Sequence, residues 1–363
     1  MSLLLFEGMV PAWTHHYFPD SPVAGWIGMQ FTHVPWEGAH LWDLIQPAFI
    51  FMSGMAIPYA MASRRARGAG FARSFARVLR RALTLIALGL VIRSNDLPRV
   101  NFDFVHDVLL QIGLAYPFAW LIATGSVRTQ VSAAAAILTG YWALFVFHPL
   151  PPPVDLAAAG IPADWTHFTG LFAHWNRYGN FAADFDRWFL NLFPRPQRFE
   201  YDELGLATLN FVPSIVTMVI GALAGQLIRR AGPPRDTLRR LAAAAVGCLA
   251  TGYVLGQTLC PLVKPIWTPS WTLFSVGWAL LALLVLYATI DVRQMKRWTY
   301  PFVVLGVNSL FVYLLLRLVS PWVSMTLTKL FGDAPYTVIV FATTALFWLA
   351  AAWLYKRRVV ITA

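Results

Sequence analysis

Apolar runs of about 20 residues recur along this chain, and they constrain its fold more than any other feature of the sequence. Each run, if helical, can cross the hydrocarbon core of a bilayer, which is about 30 Å thick. Only 12% of the 363 residues are charged and 58% are hydrophobic, whereas roughly a quarter of the residues of a soluble protein are charged. The sequence therefore predicts an all-α, polytopic membrane helix bundle.

The basic residues alternate with these runs in a way that predicts the topology. The formal net charge is +11, and the basic clusters follow every second run, while the eight histidines fall on the opposite side. Because cytoplasmic loops are enriched in Lys and Arg, we predict about ten transmembrane helices with both termini cytoplasmic, in a single domain over residues 1–363. The predicted spans are Ser2–Trp13, Ala39–Ala62, Ala82–Ser94, Phe104–Thr124, Val131–Phe147, Thr208–Ile228, Leu241–Leu259, Trp271–Ile290, Tyr300–Val319 and Tyr336–Trp353.

A long outer loop is predicted at about residues 148–206, and it is rich in aromatic and polar side chains. A loop of this length in a compact protein is usually functional or carries short helices of its own. Its Trp and Tyr residues are equally typical of anchors at the membrane interface, so both readings stay open.

The cysteines and the amino-terminal residues point to no processing step. Cys248 and Cys260 lie about 18 Å apart if they share one helix, which is too far for a disulfide bond. Met1–Trp13 has no basic segment before its short apolar run and no small-residue cleavage site, so we expect no cleavable signal peptide.

A polar loop that contains His33 runs directly into the second apolar run, whose first turn contains Asp43 and Gln46. On a helix these two positions share a face, and the ring of Pro47 would clash with the carbonyl group of Asp43, which predicts a distorted first turn. A carboxylate at the mouth of a membrane span is usually functional. Asp43 could hold His33 in one tautomer, so that its other ring nitrogen acts as a general base.

Two alternatives to this base stay open at this point. Asp43 could simply cap the helix while His33 lies on the surface of a loop, and we give this reading the same weight. A metal site could be built from His15, His16, His33 or His40, but their spacing is not of a known zinc type, so we expect no metal.

Several other polar residues fall within or near the predicted spans, where a charge at mid-bilayer costs about 2.5–3.5 kcal/mol. Interhelical hydrogen bonds are the ordinary explanation for such residues. Glu7 and Asn308 are better candidates for a polar cavity, because neighbouring glycines permit close approach. The others are Asp107, Gln111, Asn210, Gln226 and Arg317.

The motif around the second run resembles the signature of a known family. His33-Val-Pro-Trp-Glu-Gly38, then Asp43-Leu, Pro47 and Phe49-Ile-Phe-Met-Ser-Gly54, is similar to the pattern of the heparan-α-glucosaminide N-acetyltransferase family and its bacterial relatives. Gly221–Arg229 and Gly306–Ser309 resemble two later segments of that family. The resemblance implies a membrane-embedded acyltransferase in which acetyl-CoA enters from the cytoplasm and a terminal amino sugar is acetylated on the far side. In that reading His33 is the catalytic histidine and Asp43 is its acidic partner.

Taken together, the residues and the resemblance lead to a set of site predictions. We expect His33 and Asp43 to be catalytic. We expect the acceptor to contact Glu7, Trp36, Gln46, Asn210 and Asn308. The phosphates of acetyl-CoA are expected on Arg64, Arg65, Arg80 and Arg81, since the guanidinium group matches phosphate geometry, although topology alone also explains these arginines.

The expected function is acyl transfer from acetyl-CoA to an amino sugar or glycan on the periplasmic face of a bacterial inner membrane. The expected partners are this acceptor and membrane lipid, without nucleic acid, and a homodimer is left open. The rival from another class is a sugar or small-molecule transporter that performs no chemistry. It would need a polar path open to both faces and no dependence on coenzyme A.

Overall fold

The structure, a computed structural model, describes residues 9–95, 97–150, 165, 167–230, 232–332 and 335–361. These residues form helices and no strand, with one isolated β-bridge between Glu37 and Val263. Their contacts define two compact units. One consists of the described residues of Met1–His33, His40–Ile45 and Thr289–Ala363, and the other consists of Val34–Ala39 and Gln46–Ala288.

The described residues contain fourteen α-helices, numbered here in chain order. They are α1 Met9–Tyr17, α2 Pro22–Gln30, α3 Ile45–Ala66, α4 Phe71–Ser94, α5 Val108–Ala123, α6 Val127–Val146, α7 Phe181–Phe189, α8 Phe211–Arg229, α9 Pro234–Thr258, α10 Pro269–Leu286, α11 Tyr300–Val307, α12 Ser309–Leu314, α13 Ser320–Phe331 and α14 Tyr336–Lys356. A 3₁₀ turn, Leu41–Leu44, leads into α3, as the position of Pro47 predicts.

The larger unit is organised around α8, which packs against α5, α6, α9 and α10. Small residues bring α3 and α8 close together: a Cβ atom added at Gly54 would collide with the backbone of Met218, and one added at Gly221 with the backbone of Phe51. Close backbone approach through glycine is the usual way in which helices associate within a membrane.

The smaller unit packs α14 against α1, α11 and α13, and α1 also contacts α2. Its apolar core contains Val304, Leu305, Val312, Phe347 and Ala351. These residues come from α11, α12 and α14, so the carboxyl-terminal helices form this core together.

Seven helical segments of the described chain are long and apolar enough to cross a membrane. They are Leu41–Ala66, Val127–Val146, Thr208–Arg229, Pro234–Thr258, Pro269–Val292, Ser309–Phe331 and Thr337–Lys356, and Val108–Ala123 is a shorter apolar helix. The prediction of a helical, polytopic protein is confirmed, whereas the count of ten spans and the cytoplasmic placement of both termini stay predictions.

The predicted spans leave a loop between Ala62 and Ala82, but this arginine-rich segment is mostly helical. Arg64 and Arg65 lie in the last turn of α3, and α4 begins at Phe71 rather than at Ala82, so that only residues 67–70 connect the two helices. Arg and Ala both favour helix, and long arginine stems can lie along an apolar helix surface while their charged ends reach water.

Two further boundaries differ from the prediction. The predicted span Tyr300–Val319 is interrupted at Asn308, and the helical chain continues through a π turn at Leu315–Val319 to Phe331. At the amino terminus His15 lies in α1 rather than in a loop, and α2 follows it. Residues 2–8 of the predicted span Ser2–Trp13, which include Glu7, lie outside the described residues.

Candidate active site

The loop before α3 is closed by contacts within the smaller unit, and this closure positions His33. The backbone N–H of Leu41 donates to the side-chain oxygen of Gln30 at 3.2 Å, and Nδ1 of His40 donates to the carbonyl of Thr32 at 3.1 Å. The rings of Phe31 and Trp42 pack at 5.9 Å between centroids. These three cross-links hold the start of the loop against its end, where Asp43 lies.

His33 and Asp43 form the close pair that the sequence analysis predicts. Nδ1 of His33 lies 2.6 Å from Oδ1 of Asp43, and the backbone N–H of His40 donates to Oδ2 of the same carboxylate at 3.1 Å. The side chain of Asp43 is 1% exposed and that of His33 is 56% exposed. The buried carboxylate therefore accepts from a ring that reaches solvent, which keeps the proton on Nδ1 and places the imidazole lone pair on Nε2.

Asp43 also caps the turn that leads into α3. Its Oδ2 accepts from the backbone of His40 at the start of the 3₁₀ turn Leu41–Leu44, as a capping carboxylate does. Because the two oxygens serve different groups, capping and pairing with His33 occur together rather than as alternatives.

His106 is paired differently, at both ring nitrogens. Nδ1 lies 2.8 Å from Oδ2 of Asp103, and Nε2 lies 2.7 Å from Oδ2 of Asp202. Burial lowers the pKa of His106, but the hydrogen bonds to both carboxylates outweigh this and raise it to about 9. A ring that is protonated at neutral pH and bonded at both nitrogens is a structural clamp, not a general base.

His148 forms a third pair, in which Nε2 lies 2.6 Å from Oδ2 of Asp184. Burial and the neighbouring charge of Arg187 both lower the pKa of His148, and Arg187 is also paired with Asp184. The side chain of His148 is 22% exposed, less than half the exposure of His33. This pair provides a matched control for His33 and Asp43.

Two of the predicted acceptor residues belong to a buried polar cluster in the larger unit. The side chain of Gln46 donates to Gln111, and Gln111 donates in turn to Ser214 and to the main-chain carbonyl of Asn210. Gln111, Asn210 and Ser214 are each at most 3% exposed. The cluster joins α3, α5 and α8 by interhelical hydrogen bonds, which is the ordinary role of polar residues in a membrane bundle.

The other predicted acceptor residues have structural partners or lie outside the description. Trp36 is 4% exposed, and its indole N–H donates to the carbonyl of Trp175 at 3.0 Å. Asn308 is fully buried, and its amide group bonds to the backbone of Val359 and Ile361. Glu7 lies outside the described residues. The acceptor contacts of all these residues stay predictions.

The predicted arginines lie at the α3–α4 end of the larger unit. Arg65 and Arg80 are exposed, while Arg64 and Arg81 are partly buried. Nη1 of Arg81 donates to the hydroxyl of Tyr116 at 3.3 Å. Nη1 of Arg64 and Nε of Arg81 are buried and have no hydrogen-bond partner among the described residues. Two buried donors that need acceptors fit a group rich in phosphate oxygens, such as coenzyme A.

One titratable group was missed by the sequence analysis. Asp186 on α7 is 1% exposed, and burial raises its pKa to about 7, although the N–H of Thr208 donates to its Oδ2 at 2.9 Å. The acidic positions around His106 were visible in the sequence, but their convergence from residues 103, 186 and 202 was not. Among the described residues no group of three or more His, Cys, Asp or Glu side chains could hold a metal ion.

The apolar helices and the His–Asp pair define a class, a multi-pass membrane protein in which a buried carboxylate holds a histidine. The comparisons add that the chain is homologous to N-acetyltransferases. The chain is 27% identical over 329 residues to heparan-alpha-glucosaminide N-acetyltransferase of Mus musculus, and 26% identical over 328 residues to that of Homo sapiens. Each match covers 78% of this chain and 48% of the relative, so the chain spans about half the length of the curated relatives that it matches. This homology confirms the resemblance inferred from the motifs, and no family model matches the chain.

Proposed function

We propose that this protein is a membrane-embedded acetyltransferase that moves the acetyl group of acetyl-CoA to the amine of an amino sugar or glycan. The observation that carries the proposal is the contact of 2.6 Å between Nδ1 of His33 and Oδ1 of Asp43, with the carboxylate buried and the ring accessible. The homology to N-acetyltransferases supports the type of reaction.

The chemistry assigned to the pair is general-base catalysis. Acetyl-CoA supplies a thioester, whose carbonyl carbon forms a C–N bond with the acceptor amine as its C–S bond breaks. Nε2 of His33 takes the proton that the amine loses, and the coenzyme A thiolate leaves and is protonated. Asp43 keeps the other proton on Nδ1 and stabilises the imidazolium that forms, as the carboxylate of a catalytic triad does. General-base assistance contributes about 10²–10⁴ in rate.

The donor is assigned to the arginine-rich end of α3 and α4. Arg64 and Arg81 would hold its phosphate groups, because each has a buried guanidinium nitrogen that lacks an acceptor among the described residues. Along α3, Gln46 and Arg64 are 18 positions apart, or about 27 Å, close to the thickness of a bilayer core. Asp43 precedes Gln46 by three residues. This separation supports a cytoplasmic donor and an acceptor on the periplasmic face of a bacterial inner membrane.

The test uses the full chain in nanodiscs with radiolabelled acetyl-CoA and a panel of amino sugars. We expect the rate of acetyl transfer, measured with the amino sugar that the wild-type protein acetylates, to fall by at least about 100-fold in His33→Ala, because the base is removed. His148→Ala is the matched control, since it breaks a His–Asp pair of the same length, and it should retain activity. Equal activity of the two variants would exclude His33 as the base. Uptake of sugar into proteoliposomes without consumption of acetyl-CoA would support a transporter.

The donor assignment is tested separately through steady-state kinetics. Arg81→Gln should raise the KM for acetyl-CoA by roughly 10-fold or more, the effect of losing one charge-assisted hydrogen bond. The KM for the amino sugar should stay unchanged. Arg235→Gln, at an exposed position at the start of α9, is the control. A KM for acetyl-CoA that is the same in all three proteins would remove Arg81 from the donor site.

A further inference from the structure

The buried carboxyl group of Asp186 ties α7 to the turn that leads into α8. The backbone N–H of Thr208 donates to Oδ2 of Asp186 at 2.9 Å, and Thr208 begins the 3₁₀ turn Thr208–Asn210. Asp186 is 1% exposed and Thr208 is 3% exposed. The two residues are 22 positions apart, so this hydrogen bond joins the two ends of the segment between them.

No cation pairs with this carboxyl group in the part of the chain that the structure describes. Oδ1 of Asp186 is buried and has no hydrogen-bond partner there, and Oδ2 accepts from a neutral N–H group. Burying an ionised carboxylate without a partner is so costly that such a group takes up a proton instead. The hydroxyl of Thr208, which is also buried and unpartnered in the same part of the chain, can accept a hydrogen bond from the acid.

Two carboxylates near Asp186 already have cations of their own. Asp103 is paired with Arg93 at 2.7 Å, and His106 bridges Asp103 and Asp202. Burial raises the pKa of Asp103, but the hydrogen bond and charge of His106, together with the charge of Arg93, lower it to about 2. Two cations and two anions balance in this cluster, so an ionised Asp186 would add an anion that nothing in it neutralises.

The remaining titratable neighbours of Asp186 are engaged elsewhere. The hydroxyl of Tyr141 on α6 donates to the carbonyl of Ile266 at 2.9 Å. Nη2 of Arg195 donates to the carbonyl of Phe102 at 3.3 Å. Burial is the largest influence on Asp186, and with the charges of the two nearby carboxylates it raises the pKa to about 7, although the hydrogen bonds from the turn act to lower it. Geometry and charge therefore both favour the neutral acid.

A cavity of about 10 Å³ lies beside this carboxyl group. That is about the room that one water molecule occupies. Its lining includes Asp186, Asn180, Asp202 and Gly205. A space of this size beside a buried acid gives water, and with it a proton, a place from which to reach the group.

We propose that Asp186 is a proton-controlled latch that holds α7 against the turn Thr208–Asn210. With its proton bound, the neutral acid stays buried and Oδ2 accepts from the N–H of Thr208. When the proton leaves, a buried anion without a cation remains, and local opening of the segment lets water solvate it. The segment from α7 to this turn therefore opens as the pH rises and closes as the pH falls. The latch is independent of the proposed acetyl transfer.

The sign and the size of the effect follow from the pKa of Asp186 in the two states. The pKa is about 7 in the closed state and about 3.9 in an open, solvated segment, so the closed state binds more protons. Between these values each pH unit raises the ratio of open to closed molecules by up to about 10-fold. Below about pH 4 and above about pH 7 this dependence on Asp186 ends.

Hydrogen exchange of the α7 amides, followed by mass spectrometry on the full chain in nanodiscs, measures this opening. Protection factors, which correct for the pH dependence of intrinsic exchange, should fall by up to about 100-fold from about pH 4.5 to about pH 6.5.

This pH window separates Asp186 from the two nearest histidines. The pKa of His106 is raised to about 9, so its effect on stability begins only above its unfolded value of about 6.5. Burial and the charge of Arg187 lower the pKa of His148. Protonation of His148 would therefore open the segment in acid, which is the opposite sign.

Asp186→Asn is the matched variant, because an amide has the shape of the neutral acid and still accepts from the N–H of Thr208. Its protection factors should not depend on pH within the window. The control is Asp184→Asn, which neutralises a carboxylate on the same helix that is 34% exposed, and it should keep the wild-type slope. Protection factors that do not change with pH in the wild type, or a wild-type slope in Asp186→Asn, would overturn the proposal.

A second measurement tests the latch even if Asp186→Asn fails to fold. Infrared difference spectra report the C=O band of a carboxylic acid directly, and this band should titrate near pH 7 in the wild type. Thr208→Val removes the hydroxyl that acts to lower the pKa, so the midpoint should move to higher pH. Absence of a carboxylic acid band near pH 6 in the wild type, or the same midpoint in Thr208→Val, would contradict the latch.

Discussion

Replacing Asp43 with Asn tests the proposed catalytic pair with the smallest change in shape. The carboxylate of Asp43 accepts from Nδ1 of His33 through one oxygen and from the backbone N–H of His40 through the other. An amide offers only one accepting oxygen. If that oxygen faces His33, the NH₂ group opposes the N–H of His40. If it faces His40, the NH₂ group requires Nδ1 to accept, which moves the proton of the imidazole to Nε2, the atom that takes a proton from the amine in the proposed mechanism.

The size of the effect follows from these two contacts. A hydrogen bond to a charged group contributes about 1.5–3 kcal/mol, which corresponds to a factor of about 10–150 in rate. Where the wrong tautomer is present, the whole contribution of the base is lost, about 10²–10⁴. We therefore expect kcat/KM to fall by roughly 100-fold or more in Asp43→Asn. The fold should lose about 1–3 kcal/mol, since one buried polar group is left without its partner.

The assay compares kcat/KM for acetyl transfer in Asp43→Asn and Asp184→Asn, with thermal unfolding measured for both. Asp184 pairs with His148 at 2.6 Å, so its replacement makes the same chemical change at a pair with no assigned catalytic role. If folded Asp43→Asn keeps kcat/KM within about threefold of the wild type, the role of this carboxylate is refuted. The loss of one charged hydrogen bond alone predicts a fall in kcat/KM of at least about 10-fold.

Three further predictions concern stability. Burial raises the pKa of Asp186 to about 7, above its unfolded value of about 3.9, so the ionised carboxylate destabilises the fold increasingly from about pH 4 to pH 7. Asp186→Asn should therefore raise the melting temperature more at pH 8 than at pH 4, and the gain in free energy of unfolding should be no more than about 4 kcal/mol. An equal change in melting temperature at both pH values would contradict this. Gly54→Ala should destabilise the protein by about 1–3 kcal/mol in thermal unfolding, because the added methyl group meets the backbone of Met218. The control is Gly140→Ala on α6, where nothing lies within 4 Å of the added methyl group, and it should be neutral or stabilising in the same assay. Asn308→Ala removes the hydrogen bonds to the backbone of Val359 and Ile361, so it should lower the free energy of unfolding by about 1–3 kcal/mol. An unchanged melting temperature would show that Asn308 does not hold this segment.

The spacing of His33 and Asp43 was enough to predict their contact because both residues flank one short loop. Ten positions separate them, and the loop is closed by local contacts between residues that are near in the sequence. The same reasoning did not find the cluster around His106. Its partners Asp103 and Asp202 are about a hundred positions apart, and no periodicity links them.

The arginine-rich segment shows the limit of placing helix ends from charge alone. Its basic residues suggested a loop, but α4 begins at Phe71 and includes Arg73 and Arg81. Local hydropathy averages over all faces of a helix, whereas an amphipathic helix can bury one face and expose its arginines on another. The burial of Val78 and Leu85 on the same helix shows that this occurs here.

The sequence by itself determined that the protein is helical and suited to a membrane, and it identified the motif that contains His33 and Asp43, the proposed base and its carboxylate. Those properties depend on composition and on short-range spacing, which the chain carries whatever its tertiary fold. Only the tertiary structure decided that, among the histidines of the described residues that pair with carboxylates, His33 is the most exposed. It also decided which arginines have buried N–H groups without a hydrogen-bond partner in the described part of the chain. Such properties depend on burial and on contacts between distant segments, because solvent exposure and hydrogen-bond partners arise only when helices pack.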